Sequence, residues 1–222
     1  MTHSPPRAFG AASAVAAAPI ARPYLLPQAA RCNPPRTVRR IGAWLEAAFC
    51  AEARVMTPSG PRPAGALNVQ DKVLTLEGGP QRIRAIWHHG ITADQAKAWP
   101  ETRPIHIVPN ACGAGAPRRP LLVSPRAGLH VQNGLAQAQD VVGWQGITST
   151  APRATTYVQI LLPQHALMAV DGMLCESLHP ARLGTAPWDA MQLAEAADAL
   201  PDIAHDFDLY GPSVRPRLRR AH

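Results

Sequence analysis

No run of about 18 apolar residues, the length that a membrane-spanning helix needs, occurs in this chain. Cysteine is scarce. The four thiols, Cys32, Cys50, Cys112 and Cys175, show no Cys-x-x-Cys spacing, which argues against a zinc ribbon or a redox motif. Four in 222 residues is also too thin a supply for a disulfide framework. Acidic residues are missing altogether from both ends. Residues 1–40 hold six arginines (Arg7, Arg22, Arg31, Arg36, Arg39, Arg40), residues 211–222 hold four (Arg215, Arg217, Arg219, Arg220), and neither segment has an Asp or Glu. The net charge of +7 therefore resides in the ends, because residues 41–210 carry 12 basic and 15 acidic residues, a balance of −3. Basic arms attract phosphate without sequence preference. The arginine clusters have no interleaved aromatics and no nucleic-acid-binding signature beside them, so no specific nucleic acid is expected as a partner. Weak contact with nucleic acid or a membrane surface is the most that such tails support.

Length is sufficient for one domain with a core, plus tails. Phe9 to Ala21 (FGAASAVAAAPIA) follows Arg7 and has the outline of a short signal-peptide core, with small residues near Ala21. Alanine is barely hydrophobic, and Pro19, Pro23, Pro27, Pro34 and Pro35 interrupt the region, so residues 1–43 read better as a disordered Ala/Pro/Arg arm. A cytoplasmic and a secreted location both stay open. Ile41 to Phe49 has an apolar side at Trp44 and Leu45 that suits a turn or two of helix.

From Arg54 to about Pro180 the pattern is β: short apolar runs rich in branched residues, with Gly and Pro between them. Strands are expected at Arg54–Thr57, Lys72–Leu76, Gln81–His88, Pro104–Val108, Leu121–Ser124, Gly128–Val131, Asp140–Val142, Thr155–Leu162 and Ala166–Val170. Asp94 to Glu101 breaks the rhythm and reads as an inserted loop. Beyond Pro180, Thr185-Ala186-Pro187 offers a helix start. Ala190 to Leu200 then runs on good helix formers, with Leu193, Ala196, Ala197 and Leu200 as an apolar stripe. The fold class is thus all-β with helix at its edges: a domain over 44–184, then a helix and basic tail over 185–222.

The segment AFCAEARVMTPSGPRPAGALNVQDKVLT, beginning at Ala48, carries a specific pattern. Thr57-Pro58-Ser59-Gly60 closes a strand in a turn, and Gln70-Asp71-Lys72-Val73-Leu74-Thr75 makes a turn and a second strand. Further on come Arg103-Pro104-Ile105-His106-Ile107, Gly113-x-Gly115, Pro117-Arg118-Arg119 and Leu121-Leu122-Val123-Ser124-Pro125. A closing block runs from Tyr157-Val158-Gln159-Ile160-Leu161-Leu162 through His165, Ala169 and Gly172 to Glu176-Ser177. Taken in order, these blocks resemble the Hint (Hedgehog/intein) superfamily, in particular its bacterial Hedgehog/intein branch. The resemblance implies a flattened all-β Hint fold of many short strands, with the domain's two ends close together. It also implies autocatalytic peptide cleavage, in which the domain's first Cys or Ser attacks the preceding carbonyl in an N-to-S or N-to-O acyl shift.

That chemistry needs a nucleophile about 3–3.5 Å from the carbonyl, a proton donor for the departing nitrogen and a partner for the oxyanion. Without gaps, the family's first cysteine falls on Ala48, the histidine that follows its Ser-Pro falls on Ala127, and its first closing-block histidine falls on Gln159. His130 stands on the opposite strand face from that second position. Cys50 is two residues late, a displacement of about 6–7 Å along a strand. It reads either as a shifted nucleophile or as an ordinary buried cysteine, the commoner fate of this residue. His165 matches a family histidine and reads equally as an ester-resolving group or as a structural one. Splicing needs a terminal His-Asn, and this segment has Cys175-Glu176-Ser177 instead. The expectation is a monomeric Hint domain whose autoprocessing is impaired or lost, leaving a scaffold or interaction module. The alternative is a single-turnover autoprotease using Cys50 and His165. No cofactor is expected, and His88-His89 with His106 lack the spacing and carboxylate partner of a metal site.

Overall fold

Residues 45–183 and 189–218 are described by the structure, a computed structural model. The expected arm over 1–43, the helix start at 185–187, and Arg219 and Arg220 lie outside the described residues. The described residues form fourteen strands and two α-helices. β1 (Ala48–Cys50), β2 (Arg54–Thr57), β3 (Gly60–Pro63), β4 (Lys72–Thr75), β5 (Gly79–Arg82) and β6 (Ala85–Ile91) precede helix α1 (Ala93–Ala98). Then follow β7 (Ile105–Ile107), β8 (Leu121–Val123), β9 (Gly128–Val131), β10 (Gly134–Gln137) and β11 (Ile147–Ser149). β12 (Thr155–Leu161), β13 (Leu167–Val170), β14 (Met173–Glu176) and helix α2 (Asp189–Ala199) complete the order.

Two antiparallel sheets result. The first has the order β11-β7-β8-β1-β12-β6, and the second β10-β9-β14-β13-β2-β3, with β4 joining β13 and β5 joining β4. Side chains alternate across a strand, and the two faces of the first sheet have different partners. Phe49, Val123, Val158 and Ile160 face the second sheet and meet Val55, Val73, Leu129, Met168 and Val170 in the main core. Ala48, Cys50 and Tyr157 face the other way and pack with Leu45, Ile91 and Ala96 of α1. On that same outer face Ala85, Trp87 and Leu161 pack with Ala196 and Leu200, at the end of α2. One short strand, β1, thus lies between a β layer and a helical layer.

Most expected strands form within a residue or two of their predicted limits, and the departures have local causes. Gln81–His88 divides into β5 and β6, because Ile83 and Arg84 turn away to bond Asp71 and Leu161. Ala138–Val141 is a 3-10 turn rather than a strand. The presumed loop at Asp94–Glu101 is largely α1, held by a capping box in which Thr92 and Gln95 bond each other's backbone. Ala48–Cys50 extends as strand rather than helix, since β8 and β12 on either side supply its hydrogen bonds. β3 escapes a propensity reading because of Pro61 and Pro63, which an outermost strand tolerates.

The tail also behaves differently from a free basic arm. Residues Ser213–Leu218 lie against the body, where Arg215 pairs with Glu77 at 3.1 Å and Arg217 pairs with Glu176 at 2.6 Å. Gly128 opens the space for that second pair: any Cβ at this position would fall inside the Glu176 carboxylate. Gly128→Ala is therefore expected to cost about 2–4 kcal/mol in urea unfolding. Gly90→Ala, whose Cβ would meet nothing within 4 Å, should change stability by no more than about 0.5 kcal/mol.

Candidate functional site

Position 48 sits where four backbone-directed contacts converge. Ser124 donates its hydroxyl to the Leu45 carbonyl at 2.6 Å and its N–H to the Ala48 carbonyl at 2.9 Å. Gln159 donates its side-chain amide to the Glu46 carbonyl at 2.6 Å, and the Ala47 N–H points to the Arg126 carbonyl at 3.4 Å. Ala48 pairs directly with Gln159 across the β1–β12 ladder. Positions 48 and 159 thus stand opposite each other, whereas Ala127 packs in the main core and only its neighbour Arg126 bonds the lead-in. Ala47 has φ 50, a left-handed conformation unusual for a residue with a Cβ. Leu45, Glu46 and Ala47, which precede the strand, are all buried.

The chemistry available at this convergence is that of amides. Gln159 Oε1 accepts from Gln192 of α2 at 2.7 Å and lies 2.6 Å from His89 Nε2. Burial lowers the His89 imidazole to about 4, against the hydrogen bond to Gln159 that favours its charged form. At neutral pH this ring is uncharged and hydrogen-bonded. His88 projects to the opposite strand face and is only half-buried, so the two histidines do not converge. Among the described residues no group of three or more His, Cys, Asp and Glu side chains is arranged to hold a metal ion.

Cys50 and His165 occupy separate environments. The Cys50 side chain is fully buried among Leu45, Ala48, Ile91, Ala96 and Tyr157. Burial, reinforced by the Glu52 charge, pushes its thiol far above the ordinary range, so the reactive thiolate is suppressed. His165 lies before β13, where its Nδ1 accepts the Val214 N–H at 3.0 Å. Its hydrogen is thereby placed on Nε2, which lies 3.1 Å from the Ser177 carbonyl and 3.3 Å from Glu176 Oε2. Its ring also stands edge-on to His179, with centroids 5.1 Å apart. The two sets of neighbours share no residue.

A cluster of ion pairs around two buried carboxylates stands next to the lead-in. Glu46 pairs with Arg126, Glu176 pairs with Arg182 at 2.7 Å, and Arg217 reaches between the two carboxylates. Burial raises the Glu46 carboxyl, with Arg126 and then Arg217 opposing the shift. A single signal pointed here: Glu176-Ser177 in the closing block marked a position without marking a partner. Glu46, Arg126 and Arg217 are separated by 80 residues or more, a distance over which pattern reading has no purchase.

The buried histidine sets a pH dependence. Above pH 6.5 both folded and unfolded chains carry His89 neutral, and its contribution to stability is complete. As pH falls from 6.5 to about 4, the unfolded chain takes up a proton that the folded ring refuses, so stability is lost across that window. The expected loss is about 3 kcal/mol, read as a falling urea midpoint. His89→Gln should flatten that part of the curve relative to the parent.

Residues 47–182 match a family described as the Hint domain. No curated protein sequence matches the chain. Among solved structures the chain is similar to the MchDnaB-1 intein at 16% identity, covering 59% of this chain and 99% of that one, with a TM-score of 0.40. It is similar at 13% identity to a bacterial intein-like domain from Clostridium thermocellum, covering 59% and 98%, with a TM-score of 0.42. The gp41-1 intein matches at 13% identity over 57% and 95%, with a TM-score of 0.38. On the extent of the family match, most of the chain from the lead-in to Arg182, the chain belongs to the Hint domain family.

Proposed function

We propose that this Hint domain retains its upstream segment instead of cutting it, and that it serves as a scaffold in which autoprocessing has been lost. The observation that carries the reading is the pairing of Ala48 with Gln159. At the position where the family needs an attacking atom there is a methyl group, and across the ladder stands an amide that neither gives nor takes a proton at neutral pH. The surroundings agree. Glu46 is fastened by its carbonyl to Gln159 and by its carboxylate to Arg126. A lead-in that must depart after cleavage has little reason to be held by an ion pair whose carboxylate is buried and would be left unpaired inside the fold.

The competing autoprotease needs Cys50 as a thiolate against the Phe49 carbonyl. Phe49 is paired on both sides, to Val158 and Val123, and buried in the main core. Reaching a tetrahedral intermediate there means unmaking the centre of the first sheet.

Intact-mass measurement separates the two. Held at neutral pH for a day, with and without a small thiol or hydroxylamine, the chain is expected to remain at 23.7 kDa. A fragment pair cut before Cys50, formed by the parent and absent from Cys50→Ala, would overturn the retaining reading and establish the protease.

A further inference from the structure

The second sheet ends at β10, and an edge strand offers unpaired N–H and C=O groups to any extended segment. Here residues 216–218 take that place. Leu135 donates its N–H to the Pro216 carbonyl at 2.9 Å, and Leu218 donates its N–H to the Leu135 carbonyl at 2.8 Å. The two segments run parallel about the Leu135–Arg217 pair. A Cβ at position 134 would come within 2.6 Å of the Leu218 side chain and 2.8 Å of the Pro216 carbonyl, so the glycine there keeps the lane open. One end of this lane holds the buried carboxylates. Glu176 spends Oε2 on Arg182 and turns Oε1 to Arg217 at 2.6 Å. Glu46 spends Oε1 on Arg126 and turns Oε2 towards Arg217, 3.9 Å away.

From this arrangement we infer that the β10 edge and the Glu46–Glu176 carboxylates form a binding site for an extended, arginine-bearing peptide segment. The chain's own residues 214–218 are its resident occupant. Three features separate such a site from ordinary tail packing. Backbone pairing supplies sequence-tolerant affinity, as in strand addition to a sheet edge. The two outward-turned carboxylate oxygens select one cation, and a guanidinium fits where an ammonium makes fewer bonds. The resident arginine also fills the site incompletely: Glu46 Oε2 and Arg217 Nη1 are both buried without a hydrogen-bond partner among the described residues. An occupant that leaves polar atoms unmatched can be displaced by one that matches them.

Occupant and body can be separated without discarding any of the chain. A protease recognition sequence inserted between Pro212 and Ser213, where Pro212 is exposed, allows the full protein to be cut in place. A fluorescent peptide spanning residues 213–222 is then added, and exchange with the cut segment is followed by anisotropy. Saturable binding is expected, weakened at least tenfold by Arg217→Ala in the peptide and at least tenfold by Gly134→Val in the body. Arg215→Ala, whose ion pair with Glu77 is partly exposed, should weaken it less than threefold. Equal losses for the two arginines would mean attraction of a polycation to an acidic surface and would overturn the site, as would absence of binding to a cut protein that keeps its circular dichroism. If cutting unfolds the protein, amide exchange in the uncut chain decides. Arg217→Ala should then speed exchange at Val214 and Leu218 by tenfold or more and leave β12 unchanged, whereas uniform acceleration would overturn the proposal.

Discussion

Two carboxylates without access to water set the terms for this molecule. Glu46 lies just before the family-matched region and Glu176 near its end, and both are brought inside, where an unpaired charge costs several kcal/mol. Folding must therefore deliver cations to them, and it draws those cations from three separate places. Arg126 comes from the turn before β9, Arg182 from the turn after β14, and Arg217 from the final segment. The lead-in, the closing block and the tail are fixed relative to one another by one cluster. The cluster is a requirement of specificity more than a source of stability, because buried pairs roughly break even against apolar replacements.

The same fastening bears on the proposed loss of chemistry. An acyl shift needs freedom at the scissile peptide: the carbonyl must pyramidalise and the nitrogen must leave. In the family register the scissile carbonyl is that of Ala47. The carbonyls flanking it, those of Leu45, Glu46 and Ala48, each accept a hydrogen bond from Ser124 or Gln159, which holds the backbone on both sides of it. Gln159 is in turn held by Gln192 of α2, which lies beyond the segment that matches the family. An amide suits that position because it donates to a carbonyl on one side and accepts from a donor on the other, with no proton to exchange. His89, kept neutral by burial, completes a set of groups suited to holding rather than reacting.

Much of the fold was legible in the sequence because its signals are local. Thr57-Pro58-Ser59-Gly60 specifies a turn whatever surrounds it, and Gly128–Val131 forms a strand with the predicted limits. Illegible were the elements whose stability comes from neighbours. Ala48–Cys50 has helix-forming residues before it and becomes strand because β8 and β12 leave a gap between them. Met173–Glu176 carries no alternation strong enough to announce it, yet it pairs with both β13 and β9. At the candidate site, the three departures Ala48, Ala127 and Gln159 could be read one by one. The pairing of Ala48 with Gln159 could not, nor could the buried cluster, since Glu46 and Arg217 are 171 positions apart and look like ordinary surface charges.

The charge count takes a different meaning once the partners of two of its arginines are known. Four arginines in residues 211–222 suggested a polycation free to seek phosphate. Two of them, Arg215 and Arg217, are spent on Glu77, Glu46 and Glu176. Those acids belong to the segment whose balance is negative, so part of the apparent asymmetry between ends and middle is internal complementarity. Basic residues at a terminus are evidence for a nucleic-acid partner only after the acids of the same chain have been given first claim on them. In this protein that claim is exercised through a sheet edge, a glycine lane and two buried carboxylates, which place the Arg217 guanidinium between Glu46 and Glu176.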